Sequence, residues 1–473
     1  MDERLIISIS GMRGIVGENL TASIAADYGR AFGTFLKNSK SMSVCIGRDS
    51  RPSGRKLQSA VIEGLCDTGI NVIDLGIVTT PGVGVMVNHL QCAGGVVITA
   101  SHNPIQYNGI KLLLGNGAAA PSEPAKQIKR YFLEKQFTFA VPANRGKVTF
   151  NDQTDTVHIN RVLAIVNKNA IAAKKFKVVL DSVNGAGGRV GKKLLTELGC
   201  QVVALNNEQT GLFAHTPEPT SENLTGLCKV VKAEKAQVGF AQDPDADRLA
   251  IVNENGTYIG EEYTLALAAK YVFSQKSGRA AANLSTSRML DDIVEAAGGQ
   301  VIRTAVGEAN VVAAMLEHNC IIGGEGNGGV IDLRVVPIRN SLVGIALVLQ
   351  LMAETGKTIS RLVSEIGGYY MSKDKFSADE LQAQQILDSA KKVFADAKLD
   401  TTDGCRIDFD DGWLHIRASN TEPVMRIIVE AKDQPAAQKY IDAVLNIRKE
   451  IMCCRPPTAD KSCTPYKTGP GDK

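Results

Sequence analysis

Short runs of β-branched apolar residues alternate along this chain with segments of helical period, and this alternation constrains the fold most. The run SVCIGRD, at 43–49, is followed by a segment in which Ser53 is expected to cap a helix. The apolar face of that helix is expected to hold Leu57, Ala60, Val61, Gly64 and Leu65. Strands that alternate with helices predict an α/β fold built in layers.

The same alternation divides the chain into four units and a tail. Three units are alike, whereas the fourth has a polar helix, three strands and a last helix. No exact repeat is visible, so any relation between the units is structural. The Pro-, Gly-, Lys- and Thr-rich end of the chain predicts disorder. The expected boundaries are 1–147, 148–252, 253–366 and 367–455, with the disordered tail at 456–473.

Composition and charge exclude several classes of function. The chain is 44% apolar and 22% charged, which is typical of globular proteins. Lys and Arg total 53 and Asp and Glu total 50, so a net charge of +3 gives no electrostatic excess for binding nucleic acid. No apolar run reaches the roughly 18 residues of a membrane-spanning helix, and the first residues do not resemble a signal peptide. Ten scattered Cys without a CxxC pair favour reduced thiols and a cytoplasmic location.

An unusual loop at 99–104 closes a strand of the first unit. Ser101 stands at the end of the strand GGVVI, where an exposed nucleophile could be placed. A Ser hydroxyl needs a base and nearby positive charge to take up a phosphoryl group, and Lys111 follows the loop. Of the six His, only His102 lies in such a chemically suggestive position. An Asn-Pro turn capped by Ser101 explains the loop equally well.

The second loop, DPDADR, places Asp243, Asp245 and Asp247 at alternate positions. Three carboxylates in one small volume need a cation, and oxygen ligands suit a hard ion such as Mg²⁺. Arg248 follows them and could hold a phosphate. The Gly and distal Glu of an EF-hand are missing, and a solvated acidic turn is the simpler alternative.

The third loop, GGEGNGG at 323–329, permits a close approach of the backbone to a ligand. Its acid, Glu325, and its amide, Asn327, form a hydrogen-bonding pair suited to sugar hydroxyls. A flexible structural hairpin remains an alternative.

The fourth loop, RASNTEP at 417–423, offers a guanidinium, hydroxyls and backbone N–H groups in one turn. Such a set predicts a phosphate cradle, although a hairpin turn with a surface Arg is also possible. The cradle candidates are Arg417, Ser419, Asn420, Thr421 and, beyond the turn, Arg426. Near the start of the chain, Arg13 between glycines and Arg48 after the first strand could each face a phosphoserine or only a surface carboxylate.

Together, the loops TASHNP, DPDADR, GEGNGG and RASNTEP, one per unit and in this order, resemble those of the α-D-phosphohexomutase family. The resemblance extends over about residues 5–450 and includes the stretches SGMRG, GRDSRPSG, DSVNGAGG, PEPTSENL and VGEAN. It implies four domains around a central cleft, of which three are related mixed α/β units and the last is a smaller helix-on-sheet domain.

The family also implies roles for the residues of the four loops. Ser101 would be the phosphoserine, and a phosphoserine oxygen would bind Mg²⁺ together with Asp243, Asp245 and Asp247. Glu325 and Asn327 would contact the sugar. The fourth loop would bind the phosphate that is not transferred. The transferring phosphate would be surrounded by Arg13, Lys111 and Arg248, with His102 as a further catalytic candidate.

By this resemblance the enzyme interconverts hexose 6-phosphate and hexose 1-phosphate through a hexose bisphosphate, as a monomer or homodimer whose partners are sugar phosphates. Bacterial branches of the family usually have a Ser and a His where this chain has Asn327 and Gly329, so a general-base role of that His does not carry over. The GEGNGG form with VGEAN looks closer to the archaeal phosphoglucosamine mutase branch. This favours glucosamine phosphate and leaves mannose and glucose phosphates open.

Two other classes of function fit parts of the sequence. A Mg²⁺-dependent phosphatase could use DPDAD as a nucleophile–acid pair, but Ser101 would then be idle. An inactive sugar-phosphate sensor would not need an intact Ser101 and three Asp residues.

Overall fold

The computed structural model describes residues 5–8, 11–419 and 424–453. The chain divides into two compact units, Met1–Gly368 (unit 1) and Tyr369–Lys473 (unit 2). Tyr369 lies two residues beyond the expected start of the fourth domain at 367.

The first sheet of unit 1 has seven strands. They are β1 Ile6–Ser8, β2 Gly11–Ile15, β3 Ser43–Arg48, β4 Asn71–Ile77, β5 Gly94–Ile98, β6 Tyr107–Leu114 and β7 Val148–Phe150. Their order is β1-β2-β6-β5-β3-β4-β7. Four helices belong to this part of the chain: α1 Ala22–Leu36, α2 Gly54–Asp67, α3 Thr80–His89 and α4 Ser122–Leu133. Because β5 and β6 are antiparallel, with Val97 opposite Lys111, the loop of Ser101 joins two neighbouring strands.

The face predicted for α2 is confirmed, because its five expected residues are all buried. The expected cap is wrong. Ser53 occupies the N-cap position, but its side chain makes no capping hydrogen bond. Its Oγ instead accepts a hydrogen bond of 2.9 Å from Nδ2 of Asn108, so a tertiary contact takes the place of the local one.

Strand β7 lies beyond the expected end of the first unit at 147. It pairs in parallel with β4, from Val72 opposite Val148 to Asp74 opposite Phe150. All three residues of β7 are exposed, so no alternation of buried and exposed positions marks it. The first sheet therefore extends past the boundary drawn from the sequence.

Unit 1 contains two further sheets of four strands each. The second sheet comprises β8 Lys177–Asp181, β9 Gln201–Leu205, β10 Val238–Gln242 and β11 Leu249–Asn253, in the order β11-β10-β8-β9. The third comprises β12 Arg279–Asn283, β13 Gln300–Thr304, β14 Ile322–Glu325 and β15 Gly329–Ile331, in the order β13-β12-β14-β15.

Strands β6-β5-β3-β4 of the first sheet repeat the order of these two sheets. In each of these sets of four strands, the third and fourth strands in chain order form an antiparallel pair, and the other two pairs are parallel. The loops of Ser101, of the three Asp residues and of Glu325 thus occupy the same hairpin in three related mixed sheets. This confirms the predicted relation between the first three units.

One of the hydrophobic cores of unit 1 includes residues from Cys45 of β3 to Leu362. The remaining helices of the unit are α5 Thr154–Leu163, α6 Lys168–Lys174, α7 Gly187–Glu197, α8 Thr225–Ala233, α9 Glu262–Gln275, α10 Met289–Ala296, α11 Glu308–Glu317, α12 Ser341–Thr355 and α13 Ile359–Ile366. Helix α12 is apolar on all sides and is buried from Ser341 to Ala353, as such a helix must be in a core. Among the described residues, no single helix is long and apolar enough to cross a membrane, although the bent pair α12–α13 meets that test by length and composition.

Unit 2 is an antiparallel sheet with two helices. Its strands are β16 Tyr370–Ser377, β17 Lys398–Asp400, β18 Cys405–Phe409, β19 Gly412–Ala418 and β20 Val424–Ala431, in the order β16-β20-β19-β18-β17. Its helices are α14 Glu380–Val393, which begins with a capping box at Asp379, and α15 Gln434–Cys453. Residues such as Ile386, Leu414 and Val444 form one core between helices and sheet. The helix-on-sheet prediction is confirmed, with β16 and β17 added to the strands expected.

Candidate active site

Ser101 lies in the loop between β5 and β6 with its backbone in the left-handed region, at φ 51°. Its Oγ donates a hydrogen bond of 2.6 Å to Oδ2 of Asp243 and lies 3.3 Å from Nδ1 of His102. The residue is 4% exposed, so the expectation of an exposed nucleophile is wrong. The hydroxyl is instead buried beside a carboxylate that can hold its proton.

A fully buried arginine, missed in the sequence, holds the Ser101 loop. The guanidinium of Arg51 donates to four backbone carbonyls over 2.6–3.0 Å: those of Ser101, Asn103, Pro104 and Tyr107. Its Nε pairs with Oδ2 of Asp49 at 3.0 Å, and both side chains are 0% exposed. Asp49 also accepts a hydrogen bond from Thr99, whose Oγ1 accepts one from the Ser101 amide. These hydrogen bonds from buried side chains therefore fix the conformation of the loop.

Asp243, Asp245 and Asp247 lie together in the loop between β10 and β11. All three are buried, and their ligand atoms are within 4.8 Å of one another. Oδ1 of Asp245 and Oδ1 of Asp247 are buried without a hydrogen-bond partner in the part of the chain that the structure describes. Buried carboxylate oxygens need a partner, and three of these groups together fit a hard cation such as Mg²⁺.

On Asp245 and Asp247, the other carboxylate oxygen, Oδ2, is already occupied. Nζ of Lys111 lies 2.7 Å from Oδ2 of Asp245 and 3.1 Å from Oδ2 of Asp247. Thr80 donates to Oδ2 of Asp245 at 2.6 Å, and Arg339 donates to Oδ2 of Asp247 at 2.7 Å. Because donors hold Oδ2 of Asp245 and Oδ2 of Asp247, the Oδ1 atom of each of these two residues remains for a cation.

The charges of the site shift the pKa values of its members in opposite directions. Burial raises the pKa of Asp243 well above its usual range, and repulsion from Asp245 and Asp247 raises it further. Burial also acts to raise the pKa of Asp247, but Arg339 and Lys111 outweigh it and hold that pKa far below its usual range. At neutral pH, Asp247 is therefore a carboxylate.

Cationic side chains also lie close to the Ser101 loop. Arg13 on β2 donates from Nη1 to Oδ1 of Asn103 at 3.0 Å. Burial, followed by repulsion from Arg248, lowers the pKa of Arg13. Burial and Arg248 also lower the pKa of His102 to about 2, so its imidazole is neutral at pH 7. The Nε of Arg248 is buried with no hydrogen-bond partner among the described residues. Such a convergence favours an anion with several acceptor oxygens, such as a phosphoryl group.

The third loop joins the site through Glu325, which ends β14 and is 4% exposed. Its Oε1 accepts a hydrogen bond of 2.8 Å from Asn283, and its Oε2 accepts one of 2.7 Å from Arg339. Oδ1 of Asn327 is buried and accepts no hydrogen bond from any residue that the structure describes. An acceptor without a donor, beside a fixed carboxylate, suits a hydroxyl or amine of a sugar.

The fourth loop belongs to unit 2. Arg417 lies at the end of β19 opposite Arg426 of β20, and it is 8% exposed. Its Nε lies 3.3 Å from Oδ2 of Asp403. The Ser419 amide donates to the carbonyl of Val424 at 2.8 Å, and Arg426 is exposed. The other two cradle candidates, Asn420 and Thr421, lie outside the described residues.

Sequence reasoning missed several residues that hold the candidates of unit 1. They are Asp49, Arg51, Thr80, Asn283, Glu308 and Arg339. A partial signal existed for Glu308, within the familial stretch VGEAN, and for Asn283, at the carboxyl end of β12, where ligand-binding residues collect in α/β sheets. Nothing in the sequence around Arg339 marks it.

Comparison with known proteins identifies the family of the chain. Family profiles for the four domains of phosphoglucomutase/phosphomannomutase match residues 4–139, 156–256, 261–369 and 375–447. The chain therefore belongs to this family, the α-D-phosphohexomutases. It is accordingly an isomerase that moves phosphate within hexose phosphates, in a family that depends on Mg²⁺.

The relatives carry more than one substrate name. A phosphoglucomutase/phosphomannomutase of Thermococcus kodakarensis is 40% identical over 93% of this chain and 98% of its own. A probable phosphoglucosamine mutase of Methanopyrus kandleri is 36% identical over 94% and 97%. A solved phosphoglucomutase/phosphomannomutase family protein of Burkholderia thailandensis has a TM-score of 0.84 and 27% identity over 95% and 99% of the two chains. The fold is also shared by an Aspergillus fumigatus N-acetylphosphoglucosamine mutase solved with GlcNAc-6P and magnesium, over 94% of this chain and 95% of that one (TM-score 0.60, 14% identity).

Proposed function

We propose that this phosphohexomutase carries its phosphoryl group on Ser101 and acts preferentially on glucosamine phosphate, interconverting the 6-phosphate and the 1-phosphate. The observation that carries the first part is the 2.6 Å contact between Oγ of Ser101 and Asp243, inside a group of three buried Asp residues. A buried serine hydroxyl with a carboxylate on one side and cations on the other has the surroundings that phosphoryl transfer needs.

In the first half-reaction, a sugar hydroxyl oxygen attacks the phosphorus of phosphoserine. The bond from phosphorus to Oγ of Ser101 breaks, and the product is a bisphosphorylated sugar. The proton of the sugar hydroxyl ends, in the net reaction, on the serine oxygen. After the bisphosphate turns over, the reverse transfer regenerates phosphoserine.

Mg²⁺ would be held by Asp243, Asp245, Asp247 and an oxygen of the phosphorylated Ser101, and when bound it neutralises charge on the transferring phosphoryl group. The protein adds Lys111, Arg13 and Arg248 as further positive groups. His102, which is neutral at pH 7, can form a hydrogen bond with the serine oxygen without adding charge to the site. Positioning and charge neutralisation, rather than covalent help, are what this chemistry requires.

Substrate contacts divide between the two remaining loops. Glu325 and Asn327 would bind the sugar, because one offers a fixed carboxylate and the other an unoccupied acceptor oxygen. Arg417, with Ser419, Asn420, Thr421 and Arg426, would bind the phosphate that is not transferred. A guanidinium suits that task, since it can bond two phosphate oxygens at once.

The glucosamine preference rests on the GEGNGG form of the third loop and on relatives named probable phosphoglucosamine mutase. A second candidate, phosphomannomutase/phosphoglucomutase activity, is favoured by the name of the 40% identical relative. Separate incubation with glucosamine, mannose and glucose 6-phosphates, at equal concentrations and with Mg²⁺, distinguishes the two. We expect the highest kcat/KM for glucosamine 6-phosphate, and a higher value for either of the other sugars would overturn the preference.

The same incubations test the reaction itself. A mutase yields the 1-phosphate isomer, a phosphatase releases inorganic phosphate, and an inactive sensor yields neither. Trace hexose bisphosphate should be included in each incubation, so that enzyme isolated without its phosphoryl group can enter the cycle. Absence of isomer with all three sugars would refute mutase activity toward these substrates.

A further inference from the structure

We propose that Arg339 is a positioning residue that ties the metal loop to the sugar loop, and that residue 329 is a glycine because the side chain of Arg339 passes over it. The proposal rests on the proposed function of the two loops. It deepens that function by naming a residue that orients a carboxylate of each loop, Asp247 in the metal loop and Glu325 in the sugar loop.

The first observation is the set of partners of Arg339. Its guanidinium contacts three carboxylates from three different segments. Nη2 lies 2.7 Å from Asp247, Nη1 lies 2.7 Å from Glu325, and Nε lies 2.9 Å from Glu308. The Arg339 amide also donates to Glu308, at 3.1 Å. Every nitrogen of the guanidinium is thus bound, and the planar group sets the distance between Asp247 and Glu325.

The second observation concerns which oxygen of each carboxylate is used. Arg339 shares Oδ2 of Asp247 with Lys111, and Oδ1 of the same carboxylate is left without a partner among the described residues. Arg339 therefore holds one specific oxygen of Asp247 and leaves the other for a cation. On Glu325, Arg339 takes Oε2 and Asn283 takes Oε1, so this side chain is held from both ends.

The third observation is steric. A Cβ atom on Gly329 would lie 2.2 Å from Cδ and 2.8 Å from Cγ of Arg339. Gly329 is not among the residues with positive φ, so its backbone would accept other side chains. The stem of Arg339 is the nearest obstruction, followed by Oδ1 of Asn327 at 3.1 Å. The three bound carboxylates prevent the stem of Arg339 from moving aside. Gly329 and Arg339 therefore form a coupled pair.

Charge and geometry can be separated by two substitutions of Arg339. Arg339→Met removes a cation from beside Asp247 and should tighten Mg²⁺ binding, measured by calorimetry in the absence of sugar, by about fivefold or more. The same variant should lower kcat/KM by about tenfold or more, because Asp247 and Glu325 lose their common anchor. Arg339→Lys keeps the charge but cannot bridge three carboxylates. It should bind Mg²⁺ within about twofold of wild type and still lose about fivefold or more in kcat/KM.

The coupling is tested by a double-mutant cycle. Gly329→Ala should lower kcat/KM by about tenfold, whereas adding Gly329→Ala to Arg339→Ala should change kcat/KM by less than about twofold, because the obstructing stem is gone. Controls are Arg334→Met, whose arginine pairs only with Asp332 in the described structure, and Gly226→Ala, whose Cβ would meet nothing within 4 Å. Both should behave like wild type.

The outcomes separate this proposal from the proposed function. If wild type produces no isomer, the proposed function fails. If wild type is active but Arg339→Met matches it in kcat/KM, the positioning role is refuted. Additive effects of Gly329→Ala and Arg339→Ala would refute the coupled pair.

Discussion

The guanidinium of Arg51 donates a 2.6 Å hydrogen bond to the carbonyl oxygen of Ser101. The two residues are separated in sequence by two helices and two strands, α2, β4, α3 and β5, yet the buried arginine contacts the serine loop directly. Among the described residues, the carboxylate that pairs with it is that of Asp49, which is equally buried. The position of the proposed nucleophile therefore depends on an ion pair that contributes no group to the reaction.

We expect Arg51→Met to lower the free energy of unfolding by about 3–5 kcal/mol, because it leaves a buried carboxylate and four carbonyls without their donor. Urea unfolding at pH 7 measures this difference. Arg48→Met is the matched control, since Arg48 is only partly buried and donates a hydrogen bond to the backbone carbonyl of Asp49. Equal stability of the two variants would contradict the role of Arg51.

Ser101→Ala should nearly abolish isomerisation and leave the fold intact. The hydroxyl is the only group removed, and a missing Oγ leaves no large cavity. Activity with glucosamine 6-phosphate and the thermal unfolding midpoint should both be measured. Ser274→Ala, at an exposed position of α9, is expected to keep full activity. A folded Ser101→Ala enzyme with near wild-type turnover would rule out phosphoserine at this position.

Asp245→Asn should weaken Mg²⁺ binding by at least about tenfold, because one charged oxygen ligand is lost where two buried oxygens already need a cation. Isothermal titration with Mg²⁺ gives the affinity directly. The control is Asp155→Asn, whose carboxylate pairs with Arg189 away from the loop. Excess chelator should also stop wild-type turnover, and full activity under chelation would contradict the metal assignment.

Arg417→Ala should raise KM for sugar phosphate more than it lowers kcat. A phosphate that is bound in substrate, intermediate and product alike contributes mainly uniform binding. Loss of a charge-assisted contact of about 1.5–3 kcal/mol corresponds to roughly ten- to a hundredfold in kcat/KM. Arg417→Lys should recover part of this loss, because the ammonium keeps the charge without the planar fork. Unchanged kinetics in Arg417→Ala would remove the fourth loop from the phosphate site.

Stability should fall as the pH drops from about 6.5 to about 4. Burial lowers the pKa of His415 to about 4, although the carbonyl of Asp403 accepts a hydrogen bond from its Nε2. Between these pH values the unfolded chain binds a proton that the folded chain does not, so protonation favours unfolding, by at most about 3 kcal/mol. Urea unfolding across this range should show a smaller slope for His415→Gln than for wild type. The exposed His89→Gln is the control and should leave the slope unchanged.

Local patterns in the sequence predicted the features that depend on local residues. The buried face of α2 and the position of the loops at the ends of strands follow from alternating runs and from Gly or Asp at strand ends. The cap at Ser53 failed because Asn108, far along the chain, bonds the same hydroxyl. The boundary at 147 placed β7 in the second unit, because its three residues are all exposed and show no alternation of buried and exposed positions.

The candidate site shows the same division. Its reactive residues sit in recognisable loops, whereas the residues that orient them do not. Arg339 lies in a segment without periodicity, and its importance depends on three carboxylates that only the folded chain brings within reach. Arg51 belongs to a quoted familial stretch, but neither its complete burial nor its four carbonyl partners can be derived from spacing.

The left-handed backbone of Ser101 has a consequence for any attempt to engineer this protein. A serine in that conformation is less favourable by roughly 1 kcal/mol than a glycine, which has no Cβ to clash with the preceding carbonyl. Selection for heat resistance alone would therefore reward Ser101→Gly and discard the hydroxyl on which the reaction depends. A library screened for stability without a turnover assay would be enriched in variants that are more stable but inactive.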